Sequence, residues 1–595
     1  MFPQSEILQQ PQVNPTELLT LYLNQDYDRL SEKFLKILEY FEKETYYSLS
    51  QESQYFINVF VKNFLYLFTQ PDYILSDRHV TRFIQFNLTI ANLVAMSSLG
   101  TTDAYLEILR DQPRNFAKLL TLYSARNTVK FDRQSIFKAN PQLACFWYSC
   151  YCEIYRSGII NETAYQNLKE HITYQDEQLT DFYNIDDLYF GATYIDGDRD
   201  REIKQRINQS IKNSSFVTHT KIQNHPHPKK IAVITSLWFS QHSVYRTLSE
   251  FVESLKDNYE LTLVHLGPIR NNLDIGFFKE IRYVYIVEGS LNIDSLKNND
   301  FIAVYYPDIG MSSESIFLSN LRIAPIQLCG VGHSVSTFGS EIDYYISGAE
   351  VEIPEGAEAN YSERLVLLPG FGVIHNRPIY QIRNLEKQPS RFIINCSWYA
   401  QKVNYPLLCY LKEVVKHCQK KILFRFFAGG ALTRKNDFIP FARDLEAALG
   451  KEWSELIPAQ PYEQYMALME EGDICIEPYH FGGCNTVADS LYLRIPTITF
   501  EGNKWYNRIG SQMLHSVGLS ELVAKTPEEY IALILKLIHH DDYRLSLQEK
   551  LNQINLNQTI FNSQSKVYFK NAIDFLIENH EQLKSETSRH PIRIQ

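Results

Sequence analysis

The sequence predicts an α/β protein in which an all-α N-terminal domain precedes two doubly wound, parallel-sheet domains. Three observations carry that expectation. Apolar residues recur at helical spacing through roughly the first 220 positions. At Lys230 the rhythm changes to short apolar runs alternating with amphipathic segments. A second set of the same kind opens near Arg391. With 595 residues, the chain is long enough to bury several cores.

The first domain is assigned to residues 1–227, including a linker. Leu18, Leu19, Tyr22, Leu30, Phe34, Leu35, Leu38 and Phe41 fall at helical spacing, and Asn58–Phe68 and Val80–Leu99 continue the pattern. No tetratricopeptide self-similarity accompanies it, so the domain reads as an irregular helical array. Cys145, Cys150 and Cys152 read as part of an aromatic-rich core helix, because no second CxxC or HxxxH lies nearby to complete a metal site. From Asp187 to Lys230 the chain is polar and charged and reads as a connecting segment. Within it Asp196-Gly197-Asp198 and Asp198-Arg199-Asp200 have the form of a DxD metal motif. No strand pattern supports that placement, and a solvated loop is the reading.

The second domain is assigned to 228–385 and the third to 386–595. In the second, KIAVITS, YELTLVHLG, RYVYIV, FIAVYYPDI, IAPIQLCGV and DYYISG read as strands, with helices at Val244–Leu255 and near Gly276–Ile281. In the third, RFIINCS, KILFRFFAG, SELIPAQ, DICIEP and PTITF read as strands. Helices are expected at Pro406–His417, Phe438–Leu449, Tyr462–Glu470, Thr486–Leu493, Gln512–Val517, Pro527–Ile538 and Lys566–Asn579. Ligands of such sheets bind beyond the carboxyl ends of the strands, so two facing domains would hold a ligand in a cleft.

Composition narrows the function. The net charge of −11 argues against whole-protein attraction to nucleic acid or anionic membrane, though not against one local basic site. Nine Cys scattered through a chain of this size do not resemble a disulfide scaffold. The N-terminus lacks a basic segment followed by an apolar one, and no apolar run reaches the ~20 residues of a membrane span. The expectation is a cytoplasmic protein with reduced thiols. The aromatic content is high, with 39 Tyr, 35 Phe and 5 Trp. Most of it falls on helix faces and strand interiors, where packing explains it, leaving Trp238, Trp398 and Tyr399 as candidates to line the cleft.

The most informative stretch is DICIEPYHFGGCNTVADSLYLRIPTITF. A strand leads into a turn with Gly482 and Gly483, and a helix then starts near Asn485 and Thr486. Glycines admit close backbone approach, and a helix N-terminus presents unpaired N–H groups and a positive dipole end. That is an anion site suited to a diphosphate. Asp489 lies one turn further on the same face and can accept from ribose hydroxyls. An ordinary strand-to-helix turn with an Asx cap would show the same local pattern. Lys402 follows the strand RFIINCS, where an ammonium can neutralise phosphate, or simply face solvent. His242 stands at the first strand–helix junction of the second domain, as a proton acceptor, a hydrogen-bonding group for a sugar hydroxyl, or a helix cap. GHSVSTFGSEIDYY, with His333, is a further polar candidate at a strand end.

Taken in order, WFSQHSVYRT, CGVGHSVSTFGSEIDYYIS, YSERLVLLPG, NCSWYAQKVNYP and CNTVADSLYLRIPTITFEG with RIGSQMLHSVGLSELVA resemble glycosyltransferase family 41. That family contains the O-GlcNAc transferases and the bacterial cytoplasmic N-glucosyltransferases of adhesins. The similarity covers roughly residues 228–560. It implies a GT-B fold, with two Rossmann-like domains facing across a cleft. It implies catalytic roles for His242 and Lys402, with Lys402 on the UDP diphosphate. Asn485 and Thr486, with Gly483, would hold the phosphates, Asp489 the ribose, and Ala459 and Gln460 would border the uracil. His333 would lie on the acceptor side. The irregular helical N-terminal region resembles the N-glucosyltransferase branch. The resemblance thus implies an inverting, metal-independent transfer of a hexose, glucose first, from a UDP-sugar to protein Asn in Asn-x-Ser/Thr. No cofactor is expected, the partners being a UDP-hexose and an acceptor protein or peptide. The alternatives are O-linked transfer of GlcNAc or glucose to Ser or Thr, and a non-catalytic scaffold that binds a UDP-sugar.

Overall fold

The computed structural model describes residues 10–44, 46–152, 159–383, 385, 391–427, 429 and 437–595. The chain divides into two compact units. The first comprises Met1–Gly191, Trp398–Lys412 and Phe426–Ala459, and the second Ala192–Ser397, Glu413–Arg425 and Gln460–Gln595.

The first unit is mostly helical. Its helices include Pro15–Leu23, Tyr27–Lys43, Gln51–Phe68, Asp77–Gln85, Asn87–Met96, Pro141–Tyr151 and Glu162–Ile172. The aromatic residues are its core. Phe34 meets Phe64 edge-on at 5.1 Å, Phe64 stacks on Phe68 at 4.8 Å, and Phe68 packs on Phe83 at 5.0 Å. Trp147 stacks on Tyr123 at 5.5 Å, in the helix that also buries Cys145 and Cys150. None of the nine cysteines forms a disulfide. The helix Phe438–Leu449 belongs to this unit, tied by Asn92 Nδ2 donating to Asp437 Oδ1 (2.8 Å) and by the Arg126–Asp444 ion pair (2.8 Å).

The strands run in chain order as β1 (Gln223–Thr235), β2 (Glu260–Leu266), β3 (Glu280–Val287), β4 (Ser290–Asn292), β5 (Asn298–Tyr306), β6 (Ile326–Cys329), β7 (Tyr344–Gly348) and β8 (Arg364–Leu368). They continue as β9 (Phe392–Cys396), β10 (Ile422–Phe427), β11 (Ser454–Ile457, in the first unit), β12 (Ile474–Ile476), β13 (Thr497–Phe500), β14 (Val523–Ala524) and β15 (Ile592–Arg593). The second unit holds a nine-stranded sheet, β15-β8-β7-β6-β5-β1-β2-β3-β4, parallel except for the β3–β4 hairpin. Its other strands run β10-β9-β12-β13-β14. Ile231–Thr235 of β1 and every residue of β6, β7 and β9 are buried, as expected of parallel strands covered on both faces. Both orders reverse direction at an inner strand pair, β1/β5 and β9/β12. These are the switch points where doubly wound sheets bind ligands. With the helical N-terminal region, this is the GT-B type of architecture.

Three expectations are corrected. The stretch read as a linker contains the helices Asp200–Asn213 and Ser215–His219, and β1 already starts at Gln223. Ile203, Ile207 and Ile211 form the buried stripe of the first of these helices. The helix expected near Gly276–Ile281 is a turn followed by the start of β3. A helix not anticipated, Asp541–Gln553, follows Pro527–His539.

Candidate functional site

The first switch point places His242. β1 ends at Thr235, beside the segment that follows β5, where Thr235 Oγ1 donates to Asp308 Oδ2 at 3.0 Å. The chain then turns into the helix Ser243–Glu253, for which His242 is the N-cap. Its Nδ1 accepts from the Val244 N–H at 3.2 Å. Burial, helped by the charge of Arg270, pushes its pKa down to about 4. A neutral imidazole whose Nδ1 accepts carries its proton on Nε2. The half-buried ring therefore presents an N–H donor rather than a free basic nitrogen.

The second switch point places the phosphate-type turn. After β12, the Gly482 N–H donates to the Tyr506 carbonyl at 2.9 Å, and the Gly483 N–H donates to Glu477 Oε1. A side chain at Gly482 would strike Glu477 and the Tyr506 carbonyl, so that position favours glycine, and one at Gly483 would displace the Thr486 hydroxyl. The helix Asn485–Tyr492 starts directly after it. Thr486 is half-buried in its first turn. Asn485 Nδ2 donates to the Ser243 carbonyl at 3.1 Å, while its buried Oδ1 has no hydrogen-bond partner. That oxygen is open to accept from a donor group.

Asp489 is buried in a cluster that the sequence reading missed. Its Oδ1 accepts from Arg246 Nη2 (2.6 Å) and from the Tyr462 hydroxyl (2.6 Å). Its Oδ2 takes the longer 3.3 Å contact from Arg246 Nη1. Arg246 also donates to the Tyr462 oxygen at 3.0 Å and stacks over that ring at 4.6 Å. Burial works against the Arg246 charge, but the Asp489 carboxylate more than offsets it and holds the guanidinium pKa above its usual value. Burial, with Asp489 beside it, likewise raises the Tyr462 hydroxyl. Arg246 sits one turn after His242 on the same helix, a spacing visible in HSVYR, and Tyr462 stands in the PAQPYEQ stretch. The structure thus brings His242, Asn485 and Asp489 together, through Ser243 and Arg246.

The other candidates fall elsewhere. His333 is buried, and its Nδ1 donates to the Ile309 carbonyl at 3.0 Å. Burial, with Lys204 nearby, pushes its pKa well down, so it is a neutral structural donor. Gly332 packs against Pro307 and Val244, which seats the His333 loop on the His242 helix. Gln460 is half-buried at the start of the last segment of this unit. Ala459 and Lys402 belong to the first unit, both half-buried, with Lys402 closing the short turn Ala400–Lys402. Trp238 and Trp398 do not line a surface. Trp238 is fully buried against Tyr245 and Phe278, and Trp398 is buried edge-on to Phe426. Tyr399 is 45% exposed. Among the described residues no group of three or more His, Cys, Asp or Glu is placed to hold a metal ion. The DxD stretch holds Asp200 in a buried ion pair with Lys204 (3.2 Å). No described helix is long and apolar enough to cross a membrane.

Fold and site together define a glycosyltransferase-type architecture of the GT-B class. An O-GlcNAc transferase mutant from Thermobaculum terrenum shares this fold, with a TM-score of 0.54 at 16% identity over 96% of this chain and 98% of that one. Residues 373–571 match the model of glycosyl transferase family 41. Over 563 residues it is 24% identical to the UDP-glucose:protein N-beta-glucosyltransferase of Actinobacillus pleuropneumoniae serotype 5b, covering 86% of this chain and 88% of that protein. A 248-residue stretch is 32% identical to a plant protein from Eustoma exaltatum described as a probable UDP-N-acetylglucosamine–peptide N-acetylglucosaminyltransferase, SPINDLY. That match covers 39% of this chain and 26% of the relative.

Proposed function

We propose that the protein transfers a hexose, glucose first, from a UDP-sugar to a protein side chain, Asn in Asn-x-Ser/Thr. The observation that carries the reading is the joining of the His242 helix to the Asn485–Tyr492 helix, by Asn485 to Ser243 and by Arg246 to Asp489. A similar chain named for UDP-glucose and protein N-glucosylation supports the choice of donor and acceptor.

In this reading the diphosphate rests at the N-terminus of Asn485–Tyr492, with Gly483 admitting it and the backbone N–H groups of Asn485 and Thr486 meeting its charge, and Lys402 is assigned to it from the family resemblance. Asp489 Oδ1 is already filled by Arg246 and Tyr462, so Oδ2 receives a ribose hydroxyl. Ala459 and Gln460 border the base. His242 donates from Nε2 to a sugar or phosphate oxygen. The acceptor nitrogen attacks the anomeric carbon from the face opposite UDP and gives up its proton to water. The C–N bond forms as the bond to the phosphate oxygen breaks, UDP leaves with the electron pair, and the configuration inverts. Preorganised donors facing the leaving diphosphate are worth about 3–4 kcal/mol each in such a step. The reaction as written needs no metal, and its setting is the cytoplasm.

Incubation with a panel of UDP-sugars and a sequon peptide, read by intact mass and site mapping, tests this. One added hexose on Asn is the expected result. A second reading, transfer to Ser or Thr, rests on the SPINDLY relative and would appear as modified hydroxyl residues. Unmodified peptide with every donor, and no UDP-dependent thermal shift, overturns both. Lys402→Ala should lower turnover by about 100–1,000-fold while leaving the melting temperature near that of the parent. Full activity in that variant removes Lys402 from the site.

A further inference from the structure

A cavity of about 280 Å³ lies in the second unit, walled by Asn360 and Tyr361 and by three further segments, none of which the proposed chemistry uses. One wall is Ser334–Phe338, which continues directly from His333. The second is Asn503–Tyr506, after β13. The third is the start of the helix Asp200–Asn213, with Asp198 and Arg201.

Two of these walls lead straight to the two halves of the site. The His333 loop is seated through Gly332 on Val244, two residues from His242. The opposite wall is joined to the glycine turn, because the Tyr506 carbonyl accepts from Gly482 and the Tyr506 ring stacks on Phe481 at 4.5 Å. The cavity is therefore walled by segments packed against the His242 helix and the Gly482–Gly483 turn.

Its walls are held rigidly. Ser336 Oγ donates to Glu363 Oε2 at 2.7 Å, the Thr337 N–H donates to Glu363 Oε1 at 2.9 Å, and Asn208 Nδ2 donates to the Thr337 and Phe338 carbonyls at 2.7 and 3.2 Å. Arg201 stacks over the Phe338 ring at 4.9 Å. Such anchoring exceeds what a surface loop needs and suits a preorganised recognition wall.

Size and chemistry narrow the occupant. Pockets that enclose a whole drug-sized ligand span roughly 300–1,000 Å³, so this one takes part of a larger molecule. The lining mixes amides (Asn360, Asn503), a hydroxyl (Ser334) and a cation paired with a carboxylate, Lys504 with Asp198 at 3.1 Å. That combination offers both donors and acceptors without a dominant charge. It fits a peptide main chain carrying an amide or hydroxyl side chain, rather than an apolar or strongly acidic segment.

We propose that this cavity is an acceptor subsite, which seats a short polar segment of the acceptor polypeptide flanking the modified residue. It rests on the transferase reading above, and the experiment separates the two. Asn503→Trp and Asn360→Trp narrow the cavity from two walls, neither residue belonging to the donor site. Both should raise the KM for a sequon peptide by about tenfold or more, leaving UDP affinity and peptide-independent UDP-glucose hydrolysis within about twofold of the parent. A photo-crosslinking p-benzoylphenylalanine at Asn503 should capture the peptide in the presence of UDP, whereas the same group at the exposed Gln582 should not. If the unmodified protein transfers sugar but both variants keep the parental peptide KM and no crosslink forms, the subsite is overturned and the transferase reading stands. If the unmodified protein modifies no peptide and binds no UDP, the transferase reading falls and the subsite with it.

Discussion

Arg246 decides what Asp489 can do. The carboxylate is buried and ion-paired with the guanidinium beside it at 2.6 Å. Removing one partner of a buried pair leaves an uncompensated charge, typically at a cost of about 3–5 kcal/mol. Arg246→Met should therefore weaken UDP binding by at least about tenfold in calorimetry, and Arg246→Lys should recover part of the loss without the bidentate geometry. Unchanged affinity in both would detach Asp489 from the nucleotide. His242 makes the complementary case. Its Nδ1 is spent on the helix cap and its pKa lies near 4, so it serves as a neutral N–H donor. His242→Gln, which keeps a terminal amide donor, should retain more turnover than His242→Ala, by about tenfold. Equal loss in the two variants, with an activity limb at mildly acidic pH, would instead mark a general base. The sequence identified His242 and Asp489 through the helix starts beside them. It did not reveal that Arg246 and Tyr462 complete the cluster, because their meeting depends on how two strand-to-helix connections pack.

At the scale of elements, helix starts and buried strands were legible where the pattern was strong. Tyr462–Glu470 and Phe438–Leu449 match the reading residue for residue. The helix Asp200–Asn213 was hidden by composition, since its charged face outweighs the Ile203, Ile207 and Ile211 stripe in any local average. The turn at Gly276 was misread because a short apolar run suits a helix or a strand end equally. The helix Lys566–Ser585 was found as an amphipathic segment, but its partner was not legible. It packs on Ser243–Glu253, with Phe569 stacked on Phe251 at 5.0 Å and Lys566 paired with Glu253 at 3.3 Å. β15 then joins the first sheet beside β8. Truncating a fully buried aromatic leaves a cavity worth about 3–5 kcal/mol. Phe569→Ala should therefore lower the melting temperature by several degrees in thermal scans followed by circular dichroism. A melting temperature equal to the parent would show that the helix is dispensable to the first sheet.

For the whole molecule, buried titratable groups set the response to acid. His242 and His265 are pushed down to about 4, and His375 to about 3, in each case chiefly by burial. Each stays neutral when folded and takes a proton near pH 6.5 when unfolded. Its burial is therefore fully tolerated above about pH 6.5 and becomes destabilising as pH falls toward 4. Asp308, raised to about 7 by burial, has the opposite sign: the folded state holds its proton, and stability falls as pH rises from about 4 to 7. Burial lowers His171, His333 and His480 in the same way and raises Glu352 and Asp444 beside Asp308, so the lowered histidines outnumber the raised carboxylates and melting temperature should rise between pH 4 and 6.5 in thermal scans. A fall across that window would contradict the assignment. Asp308→Asn should steepen the rise, since it removes an opposing group.

What the sequence determined by itself was the class of the fold and the chemistry-bearing turns. Apolar periodicity, glycine at a strand end and an Asn at a helix start are local signals, written within a few residues of one another. Gly482, Gly483, Asn485 and Asp489 are legible in that way. The tertiary structure alone decided which partners those residues keep: Arg246 on Asp489, Ser243 on Asn485, Tyr506 on Gly482. These contacts join segments more than 20 to over 240 positions apart. Their geometry follows from sheet order and helix packing, which periodicity does not encode. The high aromatic content belongs on the same side of the line. Its amount is a property of the sequence, but only packing showed that Trp238 and Trp398 are core residues.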